Sequence, residues 1–337
     1  MKILVTGGAG FIGSNFVRLV AAERPDYQVV VIDKLTYAGR PENLENLDCE
    51  FVEGDICDPK AVSRAMEGCE MVFNFAAESH VDRSLMGDPN LAGAFVQTDV
   101  YGVYVLCEEA KKRGIERFIQ VSTDEVYGDV EEGYSVESDP LQPRSPYSAS
   151  KAGGEMIATS YFISHGLPVV ITRGSNTYGP YQFPEKLIPL MITNAIDDQP
   201  LPIYGDGLQR RDWIYALDHA LGILIAGEKG TPGEAYNVGG GNERFNKEVV
   251  MEILAKLGKG EELIRYVEDR AGHDRRYALN FEKIKDLGYE PRFSFETGLE
   301  ETVRWFQNRQ DWWRPIREGA DYREFYARQY DKRLQGA

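Results

Sequence analysis

The chain has 337 residues, 42% hydrophobic and 11% aromatic, enough for one large or two modest domains with a substantial core. Its 38 basic and 54 acidic residues leave a net charge of −16, which argues against a nucleic-acid surface, since phosphate binding wants a basic face. No apolar run exceeds strand length, so no membrane span is expected, and Met1-Lys2-Ile3-Leu4-Val5 reads as a strand rather than a secretory leader, giving a cytoplasmic expectation.

Short β-branched runs fall at residues 2–6, 28–32, 50–53, 71–75, 117–121 and 169–172, and helix-length amphipathic stretches at 12–23, 91–113 and 147–165. That alternation predicts an α/β fold: a Rossmann-like, doubly wound parallel sheet with helices on both faces. After residue 174, Gly, Pro and Tyr cluster at 178–184 and 200–207, with helices expected at 186–196, 246–257 and 295–308. The reading is a dinucleotide-binding domain over 1–174, with return segments from about 210–240, and a smaller mixed α/β substrate-binding lobe over 175–337. Residues 235–240 are a further strand candidate for the main sheet. The end of the chain, with Trp312, Trp313, Tyr322, Phe325 and Tyr326, is expected to dock as a helix. Cys49, Cys57, Cys69 and Cys107 include no Cys-x-x-Cys pair, and with four histidines they offer no metal set; free thiols are expected.

Gly7-Gly8-Ala9-Gly10-Phe11-Ile12-Gly13 follows the first strand and opens the first helix. Gly7 and Gly10 let the backbone turn and approach a pyrophosphate, Gly13 lets helix and strand pack closely, and the helix N-terminus offers N–H groups to the anion. Asp33, twenty residues beyond Gly13, suits the adenosine ribose hydroxyls and repels a 2′-phosphate, which favours NAD over NADP; Lys34 beside it softens that discrimination. Asp55 and Ile56 are placed beside the adenine, and Ala76-Ala77-Glu78-Ser79-His80 under the middle of the cofactor.

Two further patterns carry chemistry. Thr123-Asp124-Glu125 ends an apolar strand with adjacent carboxyls, which repel, so that one can stay protonated while the other ionises. Such a pair supplies the acid and base needed to remove water. Tyr147 and Lys151 lie one helical turn apart, and the ammonium is expected to lower the phenol pKa so that it can take a proton from an alcohol.

With Ala76–Ser84, Ser122–Gly128, Tyr178–Pro189 and Gly272–Tyr277 added, these motifs resemble the extended short-chain dehydrogenase/reductase superfamily and, within it, the dTDP-glucose 4,6-dehydratase family. The likeness runs from Lys2 to about Trp313. It implies NAD as the cofactor, a nucleotide diphosphate glucose as substrate, a homodimer through the helices at 91–113 and 147–165, and a role in deoxysugar biosynthesis. Carried over by position, the catalytic set is Thr123, Asp124, Glu125, Tyr147 and Lys151. The cofactor set adds Phe11, Ile12, Leu35, Thr36, Thr98 and Thr177 to the residues above. The substrate set is Ser79, His80, Thr123, Asn176, Lys186, Leu187, Pro202, Ile203, Tyr204, Arg211, Asn242, Asp269, Arg270 and His273. Lys186, Arg211 and Arg270 are the local cations for a diphosphate. The sequence departs from the family pattern with Thr177 for Asn, Gly174 for Cys, Asp99 for Asn, Ala271 for Pro, and the more charged pair Arg210-Arg211. The alternatives are a 4-epimerase or decarboxylase that uses only the Tyr/Lys pair, and a non-catalytic NAD-binding regulator.

Overall fold

The computed structural model describes residues 1–85, 89–269 and 273–336; Arg270 and Ala271 lie outside the described residues. The first half runs β1 (Lys2–Thr6), α1 (Phe11–Glu23), β2 (Gln28–Asp33), β3 (Glu50–Glu53), α2 (Pro59–Ala65), β4 (Met71–Asn74), α3 (Val81–Ser84), α4 (Pro89–Val96), α5 (Val103–Arg113), β5 (Arg117–Thr123), α6 (Pro146–His165) and β6 (Val169–Gly174). The second runs β7 (Asn176–Tyr178), α7 (Leu187–Ile196), β8 (Leu201–Tyr204), β9 (Arg210–Tyr215), α8 (Ala216–Lys229), β10 (Ala235–Val238), β11 (Glu243–Phe245), α9 (Asn246–Leu257), β12 (Ile264–Val267), α10 (Glu282–Lys285), α11 (Phe295–Asn308), α12 (Gln310–Glu318) and α13 (Ala320–Tyr326).

Among the described residues, seven parallel strands form the main sheet in the order β10-β6-β5-β4-β1-β2-β3. The inner strands are buried on both faces, which is why they read as largely apolar runs, whereas the edge strand β3 buries only Val52. Phe16 and Val17 of α1 and Leu221 and Leu224 of α8 fill one face; Ala61, Leu106 and Ala158 of α2, α5 and α6 fill the other. The winding reverses at β1, with β2 on one side and β4 on the other, so a crevice opens beyond their C-terminal ends. Over that edge sits a lobe with its own core, in which Tyr178, Phe295, Phe306 and Trp313 are fully buried. The lobe's strands form a β11-β9-β7 sheet and a β12-β8 pair.

The helix expected over 91–113 is instead α4 and α5 joined by a π-helical turn at Gln97–Gly102. The wider turn carries Asp99 inward, where its Oδ1 accepts from the Glu78 N–H (2.9 Å) and its Oδ2 from the Ser150 hydroxyl (2.6 Å). The chain end docks, with Trp312 Nε1 donating to Asn43 Oδ1 (2.8 Å) and the Tyr322 hydroxyl to the Pro184 carbonyl (3.2 Å). Among the described residues no helix is long and apolar enough to cross a membrane.

Candidate active site

Loops leaving β1, β2, β4, β5 and β6 meet around a cleft of about 280 Å³. Gly7 has φ 65°, and a Cβ on it would stand 2.7 Å from the Ala76 nitrogen; one on Gly13 would stand 2.4 Å from the Gly7 carbonyl. Neither place admits a side chain, so the loop and the start of α1 border the cleft as bare backbone. Asp33 braces this cradle: Oδ2 accepts from the Ala9 N–H (3.0 Å) and Oδ1 from the Leu35 N–H (2.9 Å), while burial holds its pKa above the ordinary carboxylate value. Leu35, at φ 52°, turns the chain rather than lining the cleft. Lys34 Nζ lies 3.1 Å from Thr98 Oγ1, 3.4 Å from Glu78 and 3.7 Å from Asp55, so two carboxylates answer its charge. Gly10, Phe11, Ile12, Thr36, Ile56, Ala76, Ala77, Ser79 and Thr177 line the same cleft. A bare-backbone cradle followed by an acidic, unphosphorylated-ribose end fits a dinucleotide of the NAD type.

Helix α6 brings in the second group. Ser145 and Ser148 cap it reciprocally, each side chain accepting the other's backbone N–H (3.1 and 3.0 Å), and Pro146 occupies its first turn. Tyr147 and Lys151 therefore enter the cleft from a fixed helix start, beside the end of β5. Lys151 Nζ donates to the Val121 carbonyl (2.8 Å), and burial lowers its pKa against the pull of Asp99 and Glu155. The expected lowering of the Tyr147 phenol is not found in the protein alone. Burial, then the charges of Glu125 and Asp99, hold it well above its ordinary value, and a side-chain hydrogen bond with Thr123 only partly offsets them.

The acid pair lies at the end of β5. Asp124 is 3% exposed; its Oδ1 accepts from the Thr123 hydroxyl (3.2 Å), and its Oδ2 is buried with no hydrogen-bond partner among the described residues. Burial, then the Glu125 charge, raise its pKa well above the usual carboxylate value, with Arg211 pulling the other way. Glu125 is half-buried, and its N–H donates to Thr123 Oγ1 (3.3 Å). A carboxyl held toward its protonated form beside a second carboxylate is the arrangement that general acid and base work requires.

Of the expected substrate residues, Ser79, Thr123, Asn176 and Lys186 line the cleft, with Lys186 Nζ donating to the Ser79 carbonyl (2.5 Å). His80 is buried behind them against Phe325, and Leu187 opens α7. Arg211 donates to the carbonyls of Arg210 (2.7 Å) and Asp274 (2.9 Å) and lies over the Tyr277 ring. It is not among the residues lining the cleft, and its charge opposes the rise of the Asp124 pKa. Asp269, His273 and Tyr204 form a separate cluster, with His273 Nδ1 2.6 Å from Asp269 Oδ1 and the Tyr204 ring edge-on to the imidazole. Pro202 and Ile203 are buried in β8, and the Asn242 amide donates to the Gly240 carbonyl (2.8 Å), so these three do not line the cleft. The cleft also takes in Gly174, Ser175, Gln182, Phe183, Glu185 and His219, to which no role was assigned. Glu185 is buried, accepting from Arg83 (2.8 Å) and the Tyr37 hydroxyl (3.0 Å), and so ties the loop after β2 to the lobe. It stands in the Tyr178–Pro189 motif directly before Lys186, which was the available signal; His219 had none.

A glycine cradle, a Tyr/Lys pair and an acid pair in one cleft at the sheet's switch point define a dinucleotide-dependent enzyme of the short-chain dehydrogenase/reductase class. The family model described as GDP-mannose 4,6 dehydratase matches residues 4–302. The chain is 46% identical over 326 residues to the dTDP-glucose 4,6-dehydratase of Streptomyces niveus, covering 94% of this chain and 96% of the relative. Among solved structures, the dTDP-glucose 4,6-dehydratase DesIV of Streptomyces venezuelae with NAD bound superposes with a TM-score of 0.90 at 48% identity, covering 94% of this chain and all of that one (100%). The UDP-glucose 4-epimerase of Thermus thermophilus in complex with NAD reaches 0.85 at 31% identity, covering 92% and 100%. The chain belongs to this 4,6-dehydratase family, and within it to the dTDP-glucose 4,6-dehydratases.

Proposed function

We propose that the protein converts dTDP-glucose to dTDP-4-keto-6-deoxyglucose with NAD as a retained cofactor, in deoxysugar biosynthesis. The observation that carries this reading is Asp124, a carboxyl pushed toward its acid form by burial and then by the adjacent Glu125, in the cleft that Tyr147 and Lys151 share. Tyr147 takes the proton of the sugar 4-hydroxyl, whose oxygen Thr123 holds by a hydrogen bond. Lys151 fixes the helix end against β5 through the Val121 carbonyl. Bound NAD supplies the hydride acceptor for C4, the hydride later returned to C6, and a positive charge that favours the Tyr147 phenolate. The C4 ketone acidifies C5–H, which Glu125 removes, while Asp124 protonates the departing C6 hydroxyl. A proton returns to C5 as the hydride reaches C6. Lys186 and Arg211 carry the charge that offsets the substrate diphosphate.

The test is mass spectrometry of the product from dTDP-glucose. Loss of one water is expected, with the rate falling roughly 10²–10⁴-fold in an Asp124→Asn/Glu125→Gln variant. A C4 epimer of unchanged mass would transfer the protein to the epimerases and leave the acid pair a structural role.

The same reading includes a homodimer. Phe95, Val103, Leu106 and Tyr161 are buried within the chain, but Val96, Tyr101, Tyr104, Met156 and Ile163 are exposed on α4, the π turn, α5 and α6, the last two at 59% and 75%. A second copy covering this apolar face with the same helices makes a four-helix interface.

A further inference from the structure

Two departures from the family pattern, Gly174 and Thr177, face one side chain. Gly174 ends β6 as the register partner of Thr123. A Cβ on it would lie 2.2 Å from Nε2 and 2.4 Å from Cε1 of His219, so the imidazole fills the space that any side chain at 174 would need. On the ring's other edge, Thr177 Oγ1 stands 2.7 Å from Nδ1. The Thr177 hydroxyl donates to the Ser175 carbonyl (3.2 Å), so Nδ1 carries the proton and donates to Oγ1. That leaves the Nε2 lone pair as an acceptor. It is buried and has no hydrogen-bond partner among the described residues, although the ring lines the cleft with Tyr147 and Lys151. A buried acceptor left without a donor is destabilising, and this one stands one strand from the catalytic threonine.

We infer that His219 is a cofactor-positioning residue, its Nε2 accepting a hydrogen bond from the primary amide on the nicotinamide ring while Thr177 fixes the tautomer. The inference rests on the NAD reading above. The amide NH2 is the donor that an Nε2 lone pair can use, and the neighbouring Thr123, Tyr147 and Lys151 mark the end of the cleft where hydride is exchanged. Burial pushes the His219 pKa down to about 4, so the ring stays neutral at working pH and does not repel a cationic nicotinamide.

Equilibrium binding of three ligands tests this: NAD, 3-acetylpyridine adenine dinucleotide (a methyl ketone in place of the amide), and ADP-ribose, which lacks the ring. The protein should prefer NAD over the acetylpyridine analogue by about tenfold. In His219→Phe, which keeps a ring in the space beside Gly174, that preference should vanish while ADP-ribose affinity holds. Equal weakening toward all three ligands, or an undiminished preference for NAD, would overturn the assignment. Should His219→Phe not fold, Thr177→Val, which frees the tautomer, must narrow the preference; an unchanged preference there has the same meaning. Failure of the parent protein to bind any of the three would instead sink the NAD reading itself.

Discussion

Asp124 and Glu125 share a peptide bond but not an environment: one carboxyl is buried under Thr123, the other half-buried at the cleft. Burial favours the acid form of Asp124, and the same logic applies to Asp99. Burial raises the Asp99 pKa from an ordinary 3.8 to about 6, with Lys151 opposing. The folded chain therefore holds this proton more tightly than the unfolded chain does. The stabilisation is complete below pH 3.8 and is lost as pH rises through about 6, a loss of roughly 3 kcal/mol at neutrality. Asp99→Asn removes the charged form and keeps an acceptor for the Glu78 N–H, at the cost of the Ser150 bond, about 1 kcal/mol. The variant should exceed the parent by about 2 kcal/mol in urea unfolding near pH 7.5 and fall below it near pH 4; an equal difference at both would place the proton elsewhere. At this scale residue type and spacing were enough to nominate Asp33, Tyr147 and the acid pair, which the fold brings to one cleft, but not to foresee that burial holds the Tyr147 phenol above its ordinary pKa. His219 was not legible, because its meaning comes from Gly174 and Thr177, dozens of residues away in sequence and adjacent only in space.

Helix α6 carries Tyr147 and Lys151 in its first two turns, so its start sets where the two side chains stand. Ser145→Ala removes the side chain that accepts the Ser148 N–H and should cost about 1 kcal/mol. A melting point lowered by about 2 °C, with a reduced turnover rate, is the expected result; an unchanged melting point would mean that Pro146 and packing alone fix the helix start. Elements with a clear apolar periodicity or a short β-branched run were readable, and β1, β3, α9 and α11 keep the bounds their patterns imply. The π turn at Gln97–Gly102 was not, because one extra residue in a helical turn leaves the apolar pattern almost unchanged. Strand β9 was also missed: Arg210-Arg211-Asp212 does not read as a buried strand, yet Arg211 and Asp212 are buried because backbone groups of neighbouring loops pair with them.

For the whole molecule, the proposed dimer turns on the exposed face of α5 and α6. Light scattering should give twice the chain mass of 38.0 kDa, and Met156→Asp/Ile163→Asp should halve it without unfolding, since both side chains are exposed. A single-chain mass for the parent would sink the dimer. Trp312 holds Asn43, whose amide donates to the Ala9 carbonyl (2.8 Å), and the Ala9 N–H in turn donates to Asp33. The glycine loop is thus made well before its last brace, and its bracing is completed only when Trp312 has emerged. A nascent chain stalled short of that tryptophan carries the glycine-rich motif without its final support.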